Sequence, residues 1–291
     1  MRAKRAIILC WILLAVCLSP LPAAAKNLKL AVHSAILMDM TTGRVLFSQN
    51  ANAPIQPASI AKVLTLYLAD EAIRDGRARP ADTVKISRRA QRTGGSKMFI
   101  EAGSEIMLEE LLKGVAVVSA NDASVAVAEH IAGSVERFVA LMNRTARALG
   151  MTRSSFRNPN GLPARGQVTT AKDMLILARE YLQRFPEALD LHSQQYYTYR
   201  EITHHNRNVL LARYPNADGI KTGWVRKAGY HIVATAKRGN TRLIAVVMGA
   251  KTAAIRARET EKLLDEGFRL IEEVVRRDAE ESLEDLVEIL G

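Results

Sequence analysis

The stretch Tyr230-His231-Ile232-Val233-Ala234-Thr235-Ala236-Lys237-Arg238-Gly239-Asn240-Thr241-Arg242-Leu243-Ile244-Ala245-Val246-Val247-Met248-Gly249 contains two apolar, β-branched runs, Tyr230 to Lys237 and Thr241 to Gly249, joined by Arg238-Gly239-Asn240. A Gly-Asn pair suits a tight hairpin, so two antiparallel strands are expected near the end of the chain. At the other end, Ala35 to Met40 reads as a buried strand, Thr41-Thr42-Gly43 as a turn and Arg44 to Ser48 as a returning strand. Between these ends, Ile60 to Ile73, Leu108 to Val117, Asp122 to Ala132, Val135 to Leu149 and Ala171 to Phe185 carry apolar residues at three- and four-residue spacing, the mark of helices. An isolated hairpin is not stable in water, so the strands from the two ends must pair in space. The expected class is α+β: an antiparallel sheet flanked by helices, with a mostly helical subdomain inserted. A closing helix is expected from about Ala254 to Val275, with Leu263, Leu264, Phe268, Leu270, Ile271 and Val274 on its apolar face.

Residues 1–25 read as a secretory signal peptide: Arg2, Lys4 and Arg5 open it, Ala6 to Leu18 is a 13-residue apolar run, and Ala23-Ala24-Ala25 offers a small-residue cleavage site. That run is too short to span a bilayer. Cys10 and Cys17, the chain's two cysteines, both lie inside it, so the 266 residues that follow exclude disulfide scaffolds, zinc-thiolate sites and cysteine nucleophiles. Residues 26–277 hold 38 bases against 24 acids, whereas residues 278–291 hold six acids and no base. Such a surplus draws the body of the protein toward polyanions, cell-wall polymers included. Export removes most intracellular nucleic-acid roles, and 5% aromatic residues argues against stacking platforms for single strands, so no nucleic-acid partner is expected. The tail has an apolar stripe at Leu283, Leu286, Val287 and Leu290, but its acidic opposite face would be repelled by anionic lipid. No membrane association is therefore expected once the signal is removed, and the tail is expected to be a packed or loosely helical end.

Three short motifs could carry chemistry. Pro57 precedes Ala58-Ser59-Ile60-Ala61-Lys62, which places Ser59 in a helix's first turn and Lys62 three residues on, on the same face. A serine hydroxyl becomes a useful nucleophile when a nearby base takes its proton, and lysine serves as that base only if burial or a neighbouring cation brings its pKa down from about 10.4. By composition S-x-x-K arises roughly once per chain of this size, and Ser59 as a helix cap beside a solvated Lys62 accounts for it equally well in isolation. Ser119-Ala120-Asn121 lies between two helical runs and offers a hydroxyl and an amide from alternate positions; capping by Ser119, Asn121 or Asp122 is the structural alternative. Lys221-Thr222-Gly223, followed by Trp224, is the most specific, since such a triplet falls in fewer than roughly one chain in ten of this length. On an edge strand Lys221 and Thr222 can face a substrate carboxylate while Gly223 lets a peptide approach and add as a further strand. Lys251-Thr252-Ala253 lacks the glycine. His204 and His205 diverge as neighbours and have no third ligand spaced for them, so no metal site is expected; His33, His130, His192 and His231 read as structural or surface residues. Tyr196, Tyr197 and Tyr199 alternate partly like a strand and are expected to pack against a cleft wall.

In this order the three motifs resemble those of the penicillin-binding proteins and serine β-lactamases. The flanks resemble the low-molecular-weight D-alanyl-D-alanine carboxypeptidases, the S11 peptidase family. They include Gly95-Ser96-Lys97-Met98-Phe99, Asn158-Pro159-Asn160-Gly161-Leu162, Thr170-Ala171-Lys172-Asp173-Met174, Asn206-Arg207-Asn208 and Leu263-Leu264-Asp265-Glu266-Gly267-Phe268, and the similarity covers roughly residues 30–270. The resemblance implies the serine β-lactamase / D,D-peptidase transpeptidase-like fold, with residues 26–275 as the catalytic domain and 276–291 as an acidic tail. It implies removal of the terminal D-alanine from peptidoglycan pentapeptide stems through an acyl-enzyme on Ser59, with Lys62 as general base and Ser119 relaying a proton to the leaving amine. Asn121 would hold the substrate amide, Lys221 would keep Lys62 neutral, and Thr222 and Arg207 would bind the terminal carboxylate. Gly223 would admit the peptide, and the backbone N–H groups of Ser59 and Trp224 would form the oxyanion hole. Peptidoglycan stem peptides and acylating β-lactam antibiotics are the implied partners, no cofactor is needed, and the implied location is the periplasm or extracytoplasmic envelope.

Two departures stand out. Family members commonly carry Thr two residues after the K-T-G glycine, where this chain has Val225, and many continue into an all-β domain, whereas this chain stops soon after Phe268. A D,D-endopeptidase acting on cross-links would use the same residues and fits the single-domain length as well. A β-lactamase would need a water-activating glutamate, for which Glu187-Ala188-Leu189-Asp190 is a poor match; a non-catalytic wall-binding module is disfavoured by the intact Ser59, Lys62, Asn121 and Lys221.

Overall fold

The computed structural model describes residues 28–290, so the signal-peptide expectation lies outside the described residues. Along the chain come β1 (Ser34–Asp39), β2 (Val45–Gln49), α1 (Lys62–Arg74) entered through a 3-10 turn at Ala58–Ala61, β3 (Thr83–Lys85), α2 (Arg88–Arg92) and β4 (Glu105–Met107). Next are α3 (Leu108–Lys113) running into a π-helical turn at Gly114–Val118, α4 (Asn121–Ala132), α5 (Val135–Ala148), α6 (Ala171–Arg184) and α7 (Ala188–His192). The chain closes with β5 (Tyr196–Tyr199), β6 (Ile202–His205), α8 (Leu210–Arg213), β7 (Ala217–Val225), β8 (Gly229–Arg238), β9 (Thr241–Ala250) and α9 (Ala253–Leu290).

The class is α+β, as the pattern predicts. Five antiparallel strands run in the order β2-β1-β9-β8-β7, and β1 pairs directly with β9 through registers such as Ile36↔Val246, which joins the two ends of the chain. The β8–β9 hairpin turns on Gly239-Asn240, with Gly239 at φ +54°. Leu243 to Met248 are all fully buried because β9 is covered on both faces, α6 packing on it from the helical side. Burial of each of the larger side chains, Leu243, Ile244, Val246, Val247 and Met248, stabilises the fold by about 1.5–3 kcal/mol. The chain between β2 and β7 forms the helical layer. Its centre is α1, whose Val63, Leu64, Leu66, Tyr67 and Leu68 are buried on all sides against α4, α5 and α6, as expected of a helix with no solvent face.

The small ribbon β3–β4 was not legible from composition, its strands being three residues each, while β5–β6 contains the three tyrosines. Tyr197 is buried and hydrogen-bonds Glu110 on α3, whereas Tyr196 is exposed. The last helix runs past the expected end at Val275 without a break. Residues 29–268 form one unit and residues 269–290 belong to another. In the latter, Arg276 pairs with Glu280 at 3.0 Å, four residues apart, an arrangement that supports helix; Leu283 and Val287 are exposed. Among the described residues no helix is long and apolar enough to cross a membrane.

Candidate active site

Three elements bring the predicted residues together. The 3-10 turn and α1 carry Ser59 and Lys62; the π-helical turn and the start of α4 carry Ser119 and Asn121; the edge strand β7 carries Lys221, Thr222, Gly223 and Trp224. Lys62 is 0% exposed. Its Nζ lies 3.0 Å from Ser59 Oγ and donates to Asn121 Oδ1 at 2.6 Å and to the Asn160 carbonyl at 2.7 Å. A neutral amine has two N–H donors and one lone pair, which suits two acceptors and one hydroxyl proton. Burial first, then the charge of Lys221 and, more weakly, that of Arg207, hold Lys62 well below the usual lysine range, against an opposing pull from Asp122. The weak S-x-x-K signal thus acquires what a general base needs: contact with the hydroxyl and a pKa driven down.

Asn121 uses one end of its amide on Lys62 and the other on the Gly94 carbonyl, to which Nδ2 donates at 2.7 Å. One lone pair and one N–H remain for a substrate. Asp122, expected only as a cap, accepts backbone N–H bonds from Met98, Phe99 and Ile100 at 3.2, 3.0 and 3.3 Å and so fixes the loop over the site. Ser119 ends the π-helical turn in the left-handed region at φ 63°, ψ 33°, and its buried Oγ has no protein hydrogen-bond partner. Backbone strain of this kind gathers at functional sites, as do π-helical insertions.

Lys221 is buried, and its pKa is pushed down to about 7 by burial and then by Arg207 and Arg256. Its Nζ donates to the Thr222 carbonyl at 3.5 Å. Gly223 brings β7 against the serine's turn: a Cβ there would sit 3.0 Å from the backbone nitrogens of both Ser59 and Ile60. Trp224 is 53% exposed and tilts against Tyr230 at 5.8 Å. Val225, the residue that departs from the Thr common in the family, is buried at the end of β7. Arg207 is exposed on a loop tied to β7, since Asn208 Nδ2 donates to the Gly219 carbonyl at 3.3 Å, and its own carbonyl accepts from the buried Arg256 at 3.3 Å.

Sequence reasoning missed Asn160, whose carbonyl holds Lys62. The turn-rich Asn158-Pro159-Asn160-Gly161 run was its only signal: Gly161 N–H donates to Asn158 Oδ1 at 2.8 Å and the Pro159 carbonyl accepts from Thr65 at 2.6 Å. Gly161 has φ +81°, and a Cβ on it would lie 1.8 Å from the Ala58 carbonyl oxygen. Gly161→Ala is expected to destabilise the protein by about 2–4 kcal/mol, read as a shift in the urea midpoint at constant slope. Gly150→Ala, at φ +84° with nothing within 4 Å of the added carbon, is expected to lose only about 1 kcal/mol. Equal losses in the two would refute close approach at Gly161.

Of the histidines, His192 and His231 are buried, and His130 meets Asp82 at 3.3 Å. Among the described residues no group of three His, Cys, Asp or Glu side chains is placed to hold a metal ion.

Comparison with known proteins agrees with this geometry. The chain is 42% identical over 246 residues to the D-alanyl-D-alanine carboxypeptidase DacC of Escherichia coli (strain K12), covering 82% of this chain and 62% of that protein. It is 43% identical over 241 residues to the D-alanyl-D-alanine carboxypeptidase DacF of Bacillus subtilis (strain 168), covering 81% and 61%. The chain thus spans about three fifths of the length of these relatives. Among solved structures, penicillin binding protein 6B from Escherichia coli superposes with a TM-score of 0.82 at 38% identity, covering 86% of this chain and 81% of that one. Penicillin-Binding Protein D2 from Listeria monocytogenes in its ampicillin-bound form gives 0.77 at 30% identity, covering 84% and 99%. The profile of the S11 peptidase family, described as D-alanyl-D-alanine carboxypeptidase, matches residues 22–252. With a match of that extent over a fold and a serine-lysine pair of this kind, the chain belongs to the S11 peptidase family, the D-alanyl-D-alanine carboxypeptidases.

Proposed function

We propose that this protein is a penicillin-sensitive serine D,D-carboxypeptidase that removes the terminal D-alanine of peptidoglycan pentapeptide stems. The observation that carries the reading is the buried Lys62 amine, 3.0 Å from Ser59 Oγ and held by Asn121 and Asn160. Ser59 Oγ attacks the carbonyl carbon of the penultimate D-alanine while its proton passes to Lys62. The C–N bond of the tetrahedral intermediate then breaks as Ser119 relays the proton held by Lys62 to the departing amine; Lys62, neutral again, deprotonates the water that hydrolyses the resulting ester and returns the proton to Ser59 Oγ as the tetrapeptide leaves. The N–H groups of Ser59 and Trp224 take the oxyanion, with Gly223 allowing the approach. Asn121 orients the substrate amide; Lys221, Thr222 and Arg207 receive the terminal carboxylate. A β-lactam acylates Ser59 by the same first step. Residues 26–275 act as the catalytic domain and 276–291 as a tail, and the signal-like start of the chain supports export to the envelope, where the basic body meets an anionic wall polymer.

Incubation of residues 26–291 with pentapeptide muropeptides, cross-linked dimers and benzylpenicillin, followed by mass spectrometry, tests this. Loss of one alanine from the pentapeptide and a long-lived penicilloyl adduct are expected. Cleavage of dimers alone points to an endopeptidase, rapid penicillin turnover to a β-lactamase, and no reaction at all overturns the enzymatic reading.

A further inference from the structure

Ala58, directly before the nucleophile, sits at φ +50°, a left-handed conformation that costs a residue with a Cβ about 1–3 kcal/mol and persists only where the surroundings enforce it. A contact to the same turn comes from β8, the strand beside the edge strand β7. His231 on β8 lies opposite Gly223 on β7, and its ring is fully buried. Its Nε2 is 3.0 Å from the carbonyl of Gln56, three residues before Ser59, and its Nδ1 accepts from the backbone N–H of Gly249 at 2.9 Å.

A carbonyl can only accept and a backbone N–H can only donate, so the ring is neutral with its proton on Nε2. The Gly249 bond has its own cause. Between the pairs Tyr230↔Ala250 and Ile232↔Val247 the β8–β9 register slips, leaving Met248 and Gly249 together opposite His231. Such a bulge interrupts the ladder and re-aims a side chain; here the ring supplies an acceptor to a bulged N–H and turns its other nitrogen toward the serine's turn. Burial first, and nearby charge after it, favours the neutral ring. Arg256 from α9 and His33 from the segment before β1 both oppose a second proton, and burial pushes His231 down to about 4. A groove of about 440 Å³ lined by Gln56 and Gly249, with His33 and Lys227, opens beside the two partners of the ring.

We infer that His231 is a positioning residue for the nucleophile: by bridging the β9 bulge to the Gln56 carbonyl it locks the strained turn that aims Ser59 at the substrate. The inference rests on the acyl-enzyme reading above. Misplacement of a reacting atom by about 1 Å costs on the order of 100-fold in rate, and no atom of His231 need touch the substrate for that.

The test is the rate of penicilloyl adduct formation, resolved into the dissociation constant for benzylpenicillin and the first-order acylation step. His231→Leu is expected to slow the acylation step by about 10- to 100-fold with the dissociation constant changed less than about threefold. His231→Gln, whose amide offers one acceptor and one donor, is expected to recover most of the rate. Parental acylation in the leucine variant overturns the inference, as does an equal loss in the leucine and glutamine variants at unchanged melting temperature, which would assign the ring to packing alone. Should the leucine variant not fold, His231→Ala is assayed with and without free imidazole. Restored acylation supports the bridge, and parental acylation without imidazole overturns it. No adduct in any protein, the parent included, overturns the functional reading with it, whereas adducts formed equally fast in all overturn only the role of His231.

Discussion

Ser59→Ala is expected to abolish the penicilloyl adduct and to lower D-alanine release by at least about 10⁴-fold, while the melting temperature stays close to that of the parent. The loss follows from the chemistry: without Oγ no bond to the substrate carbon can form, and what remains is binding and oxyanion stabilisation around an attacking water. The indifference of stability follows from the structure. The hydroxyl's hydrogen-bond contact is the Lys62 amine at 3.0 Å, and Lys62 keeps two further partners in Asn121 and the Asn160 carbonyl, so its amine is not stranded when the hydroxyl goes. Intact-mass spectrometry after benzylpenicillin, together with calorimetry, checks both halves. An adduct on the alanine variant would mean that another residue is the nucleophile.

Lys221→Met is expected to lower kcat/KM for a D-alanyl-D-alanine substrate by about 10²–10³-fold and to move the acid limb of its pH profile to higher pH. The sign comes from the electrostatics. The charge of Lys221 is the largest charge contribution holding Lys62 down, second only to burial; once it is removed, Lys62 keeps its proton to higher pH and the base becomes available later. In the parent the profile is expected to bend over near pH 7, where Lys221 itself loses its charge. Stability is expected to move the other way. Because burial depresses Lys221 in the folded state, between its unfolded value near 10.4 and about 7 the unfolded chain binds a proton that the folded chain lacks, so stability rises with pH through that window. Below it the folded protein contains a buried, protonated lysine. Methionine removes that cost, so the variant's melting temperature at pH 6 is expected to exceed the parent's. Calorimetry from pH 6 to 10, alongside rate profiles, measures both effects; a variant with unchanged acid limb would show that Lys221 does not act on Lys62.

The strands and long helices were legible because their apolar patterns are local: Tyr230 to Gly249 alternates too little to show which face is buried, yet its β-branched content and Gly-Asn turn announce a hairpin. The three-residue strands β3 and β4 carry no such pattern, being too short for any period to register. Beyond Val275 a packed or loosely helical end was expected, and α9 continues there as one unbroken helix. Its stripe at Leu283, Leu286, Val287 and Leu290 has helical spacing, and ion pairs four residues apart, such as Arg276 with Glu280, add to it. In the site, Ser59 and Lys62 were readable as a same-face pair one helical turn apart, and Lys221-Thr222-Gly223 as an edge strand.

Sequence by itself determined that the chain folds as an antiparallel sheet with an inserted helical layer, and named the serine, lysines and amide able to act as a set. Tertiary structure alone decided what those groups are chemically. Whether Lys62 is a solvated cation or a buried base depends on α4, the Asn160 turn and β7 converging on it, and those lie 59, 98 and 159 positions away along the chain. The same holds for His231, which reads as an ordinary strand residue until the β9 bulge and the Gln56 carbonyl are seen on its two nitrogens. The physical reason is common to both. Local pattern records how a segment meets water, whereas desolvation, Coulomb interaction and hydrogen-bond partners are set by segments that meet only when the chain is folded.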